Sequence, residues 1–193
     1  MTQSLNLIGW LVCIIYSTIP SYWLLIHPRA NYWRSRGRSP YRVLLPVWIA
    51  MWIVAGLITA HWRRVALYTN SGSWVPAICL FGGGFWLYTQ SGKQFSAKQL
   101  GGIPEVMPGV HEQRLITTGI HSHIRHPVYL AHFCEMLAWS LGTGLAVCYF
   151  LTAFALLSGT VMIRLEDKEL EERFGEDFRQ YKRSVPAVIP KIS

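Results

Sequence analysis

The chain has 193 residues, of which 51% are hydrophobic and 13% aromatic but only 15% charged. A soluble domain of this length carries about a quarter charged residues, so the balance excludes that class and points to a polytopic membrane protein. The formal charge of +8 does not indicate nucleic acid, because the aromatic residues lie in uncharged stretches and not among lysines; anionic membrane lipids are the expected counter-charge.

Taken in chain order, the opening MTQSLNLIGW has no basic leader, so the apolar run from Leu5 reads as a retained first span and not a cleaved signal. A bilayer core about 30 Å thick requires helices of this length and apolarity, and residues 5–26, 43–60 and 74–90 answer to it. Gly82 to Gly84 fall inside the third run with no preceding strand and no lysine, which means close helix packing and not a phosphate loop. From Pro127 to Ile163 the chain is again apolar except for Glu135, too long for one crossing and suited to a helical hairpin turned at Gly142-Thr143-Gly144. The expected fold is all-α and membrane-integral, with about five transmembrane helices including that C-terminal hairpin. Residues 1–193 read as one membrane domain, with three helices in 1–90 and a distinct polar and hairpin region in 91–193.

Five spans put residues 27–42, 91–126 and 164–193 on one side, where they hold 16 of the 18 lysines and arginines; only Arg63 and Arg64 remain opposite. That asymmetry makes the richer side cytoplasmic. In the tail, Leu170, Phe174, Phe178 and Tyr181 recur at helical spacing, with Glu169 and Arg173 as an i,i+4 pair on the solvated side. One interfacial helix closing over the hairpin, stopped by Pro186 and Pro190, is expected there. The four cysteines lie in apolar stretches without a C-x-x-C pair, which indicates neither a disulfide framework nor a zinc knuckle.

The chemistry concentrates in GIHSHIRHPVYL, residues 119–130. His121, His123 and His126, with His111 and His132 nearby, could ligate a metal, but the stretch is non-helical and nothing holds them on one face, so no metal is expected. Anchoring at the headgroups is the bland alternative. Pro127 suits a first helical turn, which stands Arg125 and His126 at a helix N-terminus able to attract an anion. Tyr129 and His132 face one way, and Glu135 extends the stripe to a depth where an ionisable group marks a cavity or a paired site. Arg164, Glu166 and Asp167 leave the last span at the same level, as salt bridges to Arg125 and His126 or as catalytic groups.

Together, LITTGIHSHIRHPVYL, the apolar hairpin and EDKELEERFGEDFRQYKRSVPAVIP resemble the integral-membrane methyltransferases of the isoprenylcysteine carboxyl methyltransferase and phospholipid methyltransferase group, over roughly residues 91–190. The shared elements are Arg125-His126-Pro127-x-Tyr129, Glu166-Asp167, Leu170, Phe174-Gly175, Tyr181 and the closing prolines; SGKQFS at 91–96 is similar to the segment preceding the family's cofactor loop. Two positions depart from the pattern, His121 and Phe178, where the family commonly has tyrosine.

The resemblance implies methyl transfer from S-adenosylmethionine to a lipophilic acceptor, prenylated or phospholipid-like, in a cytoplasmic cofactor pocket capped by the C-terminal helix. It implies a cofactor site of Gly119, His121, Arg125, His126, Pro127, Tyr129, Glu166 and Tyr181, with Arg125 holding the cofactor's carboxylate. Arg125, Glu166 and Glu135 take the catalytic roles. The implied activity is most like isoprenylcysteine carboxyl O-methylation. Phospholipid ethanolamine N-methylation, a membrane sterol or lipid reductase, and non-catalytic lipid binding are the alternatives.

Overall fold

The computed structural model describes residues 2–35, 41–94 and 114–189. They form α1 (Thr2–Ile26), α2 (Ala30–Ser35), α3 (Tyr41–Thr59), α4 (Trp74–Gly92), α5 (Pro127–Thr143), α6 (Ala146–Phe174) and α7 (Glu176–Ser184). Short 3-10 turns stand at His27–Arg29, Ala60–Trp62, Ser71–Ser73 and Gly119–Ser122. Phe95 and Ser96 of the 91–96 segment, His111 and Pro190 lie outside the described residues.

Three stretches, Gln3–Trp33, Tyr41–Trp62 and Ala146–Phe174, are long and apolar enough to cross a membrane. Leu57 and Ile58 of α3, Ile78 and Phe85 of α4 and Leu157 of α6 are all more than half exposed. Apolar side chains exposed on that scale need a partner, and on helices of this length the partner is the lipid of an integral membrane protein. The other two expected spans fall on α4 and α5, of 19 and 17 residues, which are not among those three.

The most extensive packing joins α4 to α5, followed by α1 to α6. Trp10, Cys13 and Ile14 of α1 meet Met136 of α5 and Val147, Cys148 and Leu151 of α6 in the main core. Hydrogen bonds cross the helices where no water competes: Trp10 Nε1 donates to Thr59 Oγ1 (3.0 Å) and Trp48 Nε1 to Thr18 Oγ1 (3.0 Å), tying α3 to α1. Ser140 and Thr152 share another at 3.0 Å between α5 and α6.

The hairpin turns where the glycines lie. α5 ends at Thr143 and Gly144 takes a left-handed φ of +66°, with the Tyr68 carbonyl oxygen in the space a Cβ would need. Leu67 N–H donates to Gly144 O (2.8 Å) and Ala146 N–H to Val65 O (2.9 Å), which pins the α3–α4 connection onto the turn.

The tail differs from the sequence expectation. α6 continues to Phe174, Gly175 breaks the helix with φ +59°, and α7 folds back, so the expected single tail helix is two. Arg179 reaches Glu171 at 2.9 Å, and Lys182 reaches Asp167 at 3.7 Å. Glu169 and Arg173 do pair, but their side chains are only 8% and 13% exposed and not solvated, because the His27–Arg29 turn packs against α6. The tail's apolar stripe folds as its spacing indicates, with Phe178, Tyr181 and Val185 packed on Leu170, Phe174 and Leu115.

Candidate functional site

The site forms where the end of α1, the start of α5 and the last turns of α6 meet. Pro127 opens α5 with His126 as its N-cap residue. The two amides expected to face an anion are occupied: Arg125 N–H donates to Pro186 O and His126 N–H to Ala187 O, each at 2.9 Å. Both terminal nitrogens of the Arg125 guanidinium are taken as well, bonded to Asp167 Oδ2 at 2.6 Å, to Lys182 O at 3.3 Å and, more closely, to Val185 O, and only Nε is left without a partner. His126 Nε2 stands 3.0 Å from Asp167 Oδ1. Arg125 and Asp167 side chains are each 7% exposed. Arg125 therefore clasps the tail to α6 and is not a free anion receptor, because the chain after α7 doubles back to supply carbonyl acceptors.

Beside the clasp opens a cleft of about 350 Å³. Tyr22 and Trp23 of α1 and Trp48 of α3 line its aromatic side, His121, Arg125 and His126 its polar side. Glu166 projects between two imidazoles, with Oε2 at 3.5 Å from His126 Nδ1 and 4.0 Å from His27 Nε2. That oxygen and both ring nitrogens of His27 are buried without a hydrogen-bond partner. Buried polar atoms left unpaired are costly, so an array of them around an open cleft is fitted to a polar ligand. His27 stacks on Trp23 at 5.2 Å and His126 on Tyr129 at 5.6 Å, which holds both rings in orientation.

A second cavity, about 300 Å³ and almost wholly apolar, lies between α1, α5 and α6, with Phe133, Leu156 and Ile163 in its wall and Val188 and Ile189 at its edge. It shares Ile19, Tyr129 and His132 with the cleft.

Of the residues expected at a site, the cleft gathers His121, Arg125, His126, Pro127, Tyr129 and Glu166. Gly119, Tyr181 and Glu135 are not in its lining. Gly119 opens the 3-10 turn against Gln94. Tyr181 donates its hydroxyl to His121 O at 2.6 Å, and burial pushes its pKa up to about 12. Glu135 packs on Gly84 of α4. The stripe reading misplaced it for a geometric reason: each step of three residues falls about 60° short of a full helical turn, so Glu135 is about 120° around α5 from Tyr129. His121 is buried, with Nδ1 2.7 Å from Gln94 Oε1, and burial with the neighbouring His126 pushes its pKa down to about 4.

Sequence reasoning missed His27 altogether. The available signal was an ionisable ring directly after an apolar span, one helical turn beyond a tryptophan.

These features define a helical integral membrane protein in which a cleft bearing polar groups shares a wall with an apolar groove between the helices. The chain belongs to the ergosterol biosynthesis ERG4/ERG24 family, whose model matches residues 8–192. Among curated relatives it is 34% identical over 85 residues to a protein-S-isoprenylcysteine O-methyltransferase of Schizosaccharomyces pombe, a match covering 40% of this chain and 34% of the relative. It is 33% identical over 153 residues to the cobalt-zinc-cadmium resistance protein CzcN of Cupriavidus metallidurans, covering 76% of this chain and 63% of that protein. A methanethiol S-methyltransferase of Bradyrhizobium diazoefficiens is 31% identical over 77 residues, 40% of this chain and 26% of the relative. The chain thus spans between about a quarter and a third of the length of the isoprenylcysteine methyltransferases it matches. No solved structure matches it.

Proposed function

We propose that the protein is an S-adenosylmethionine-dependent membrane methyltransferase acting on a lipophilic acceptor. The observation that carries this reading is the junction of a polar cleft with an apolar groove at a common wall: two substrates of opposite polarity can meet there without either entering the other's solvent. Both cavities fall within the size of ordinary ligand sites, and curated relatives named as methyltransferases support it.

The cleft fits the cofactor. Glu166, with an unpaired oxygen, and the rings of Trp23 and Tyr129 suit a cationic group through charge and cation–π attraction. His27 and His126 offer hydrogen bonds to its polar atoms. When bound, the cofactor supplies an activated methyl group. The protein holds donor and acceptor in line, which supplies most of the acceleration in such a displacement. Arg125 contributes through the clasp, by holding His126 and the tail in place. Five spans, with the cleft on the cytoplasmic side and α7 and the following tail as its cap, are the arrangement the distribution of basic residues supports. The acceptor's tail then enters the groove sideways from the bilayer.

Saturable binding of S-adenosylmethionine to the purified protein in detergent, and transfer of label from it into a lipophilic acceptor, are the expected results. Binding of a nicotinamide cofactor in its place would transfer the protein to the reductase reading.

A further inference from the structure

The cleft and the groove have only Ile19, Tyr129 and His132 in common, so a group passing from a molecule in one to a molecule in the other passes these side chains. Ile19 offers no chemistry, and Tyr129 stacks against His126. His132 is different: its Nδ1 is buried with no hydrogen-bond partner. Its ring is held edge-on by Tyr16 of α1 at 4.9 Å and by Tyr88 of α4 at 5.5 Å. An ionisable ring at that depth, fixed from two helices and left unpaired, is a costly feature in a membrane protein and marks function.

Resting on the methyltransferase reading above, we propose that His132 is the general base of the transfer and that the acceptor it serves is a lipophilic thiol. A carboxylate acceptor has no proton to remove at neutral pH, so a base in the shared wall has no part to play in its methylation. An ammonium near 10.4 lies about two pKa units further from any imidazole than a thiol near 8.5 does. The thiol's S–H bond breaks as its proton passes to the His132 imidazole. The electron pair left on that sulfur forms the new bond to the methyl carbon. The pair of the broken carbon–sulfur bond stays with the donor's sulfur, which departs as a neutral thioether. The positive charge moves from sulfonium to imidazolium, within a cleft that already holds the Glu166 carboxylate.

The test uses the full chain in detergent and the variants His132→Gln and His132→Phe, the second of which keeps the edge-on ring contacts. Calorimetric titration with S-adenosylmethionine, and separately with a long-chain alkyl methyl thioether, should match the unsubstituted protein in both. Methyl transfer to a long-chain alkanethiol should fall by at least about 100-fold in both, while transfer to a lipophilic aromatic thiol already ionised at the assay pH stays within about threefold. Equal losses with the two thiols, or weakened thioether binding, would reduce His132 to packing and overturn the proposal. So would an unsubstituted protein that binds S-adenosylmethionine yet methylates a lipophilic carboxylate or amine and neither thiol. Failure of the unsubstituted protein to bind S-adenosylmethionine at all would remove the underlying reading, and this proposal with it.

Discussion

Glu166 and Asp167 are neighbours on α6, about 100° apart around the helix, and they have opposite fates. Asp167 faces the clasp and is saturated: Arg125 at 2.6 Å, His126 at 3.0 Å and Lys182 at 3.7 Å. Glu166 faces the cleft, close to two imidazoles but with one oxygen hydrogen-bonded to nothing. A carboxylate whose bonding capacity is filled by its own chain holds the fold, whereas one with capacity left beside open space is prepared for a ligand. Sequence alone presents the two as an equivalent acidic pair.

The comparison can be broken most forcefully at the clasp. Asp167→Asn leaves the Arg125 guanidinium buried beside a neutral amide, and breaking one side of a buried pair costs about 3 to 5 kcal/mol. The unfolding midpoint in detergent should drop accordingly, and Arg125→Ala should destabilise too, contrary to what an open helix end would allow. A loss under about 1 kcal/mol, the range of an exposed pair, would show that the clasp does not hold the tail.

Glu166→Gln should reverse that pattern. The amide keeps the shape while losing the charge, so thermal stability should barely change. S-adenosylmethionine affinity should fall roughly ten- to a hundredfold, from loss of a charge-assisted contact of about 1.5 to 3 kcal/mol. Turnover per folded molecule, compared with calorimetric affinity, checks it; full turnover from the glutamine variant would take Glu166 out of the site.

A smaller effect comes from Tyr181→Phe, which removes the bond from its hydroxyl to His121 O. Stability should decline by about 0.5 to 1.5 kcal/mol, with no change in cofactor affinity beyond what slackening of the His121 turn produces. Denaturation curves of the two proteins side by side measure it.

A last effect concerns pH. His121 titrates near 4 in the folded protein against an ordinary 6.5, so between those values the unfolded chain binds the extra proton. Its neutral state therefore contributes stability that is present above about 6.5 and lost as pH falls toward 4. His121→Asn, which can still bond Gln94, should flatten the stability profile across that window. An unchanged slope would assign the pH dependence to other groups.

Much of the fold was legible because the bilayer is a severe solvent. The apolar runs became α1, α3 and α4, Pro127 opened α5, and the turn fell at Gly142 to Gly144, each a local consequence of hydrophobic length or backbone freedom. The tail's stripe of Leu170, Phe174, Phe178 and Tyr181 was readable for the same reason, since spacing alone decides which side chains share a face. Gly175 also stood in view, but a glycine announces only that a break is permitted.

What spacing could not decide was which partner each polar group would take. Arg125 read as an anion receptor because local sequence shows a helix end; that Val185, Pro186 and Ala187 return to occupy it depends on the α7 fold-back some 60 residues away. His27 entered the cleft only because α1 packs against α6, and Glu135 left the expected face through the accumulated rotation of α5. The sequence by itself determined a helical membrane protein with its polar chemistry gathered at the entry to a hairpin, since hydrophobic burial and turn formation are local. Tertiary structure alone decided that Asp167 closes the clasp and Glu166 opens onto the cleft, because hydrogen bonds and ion pairs act over about 3 to 4 Å and only packing brings distant residues within that range.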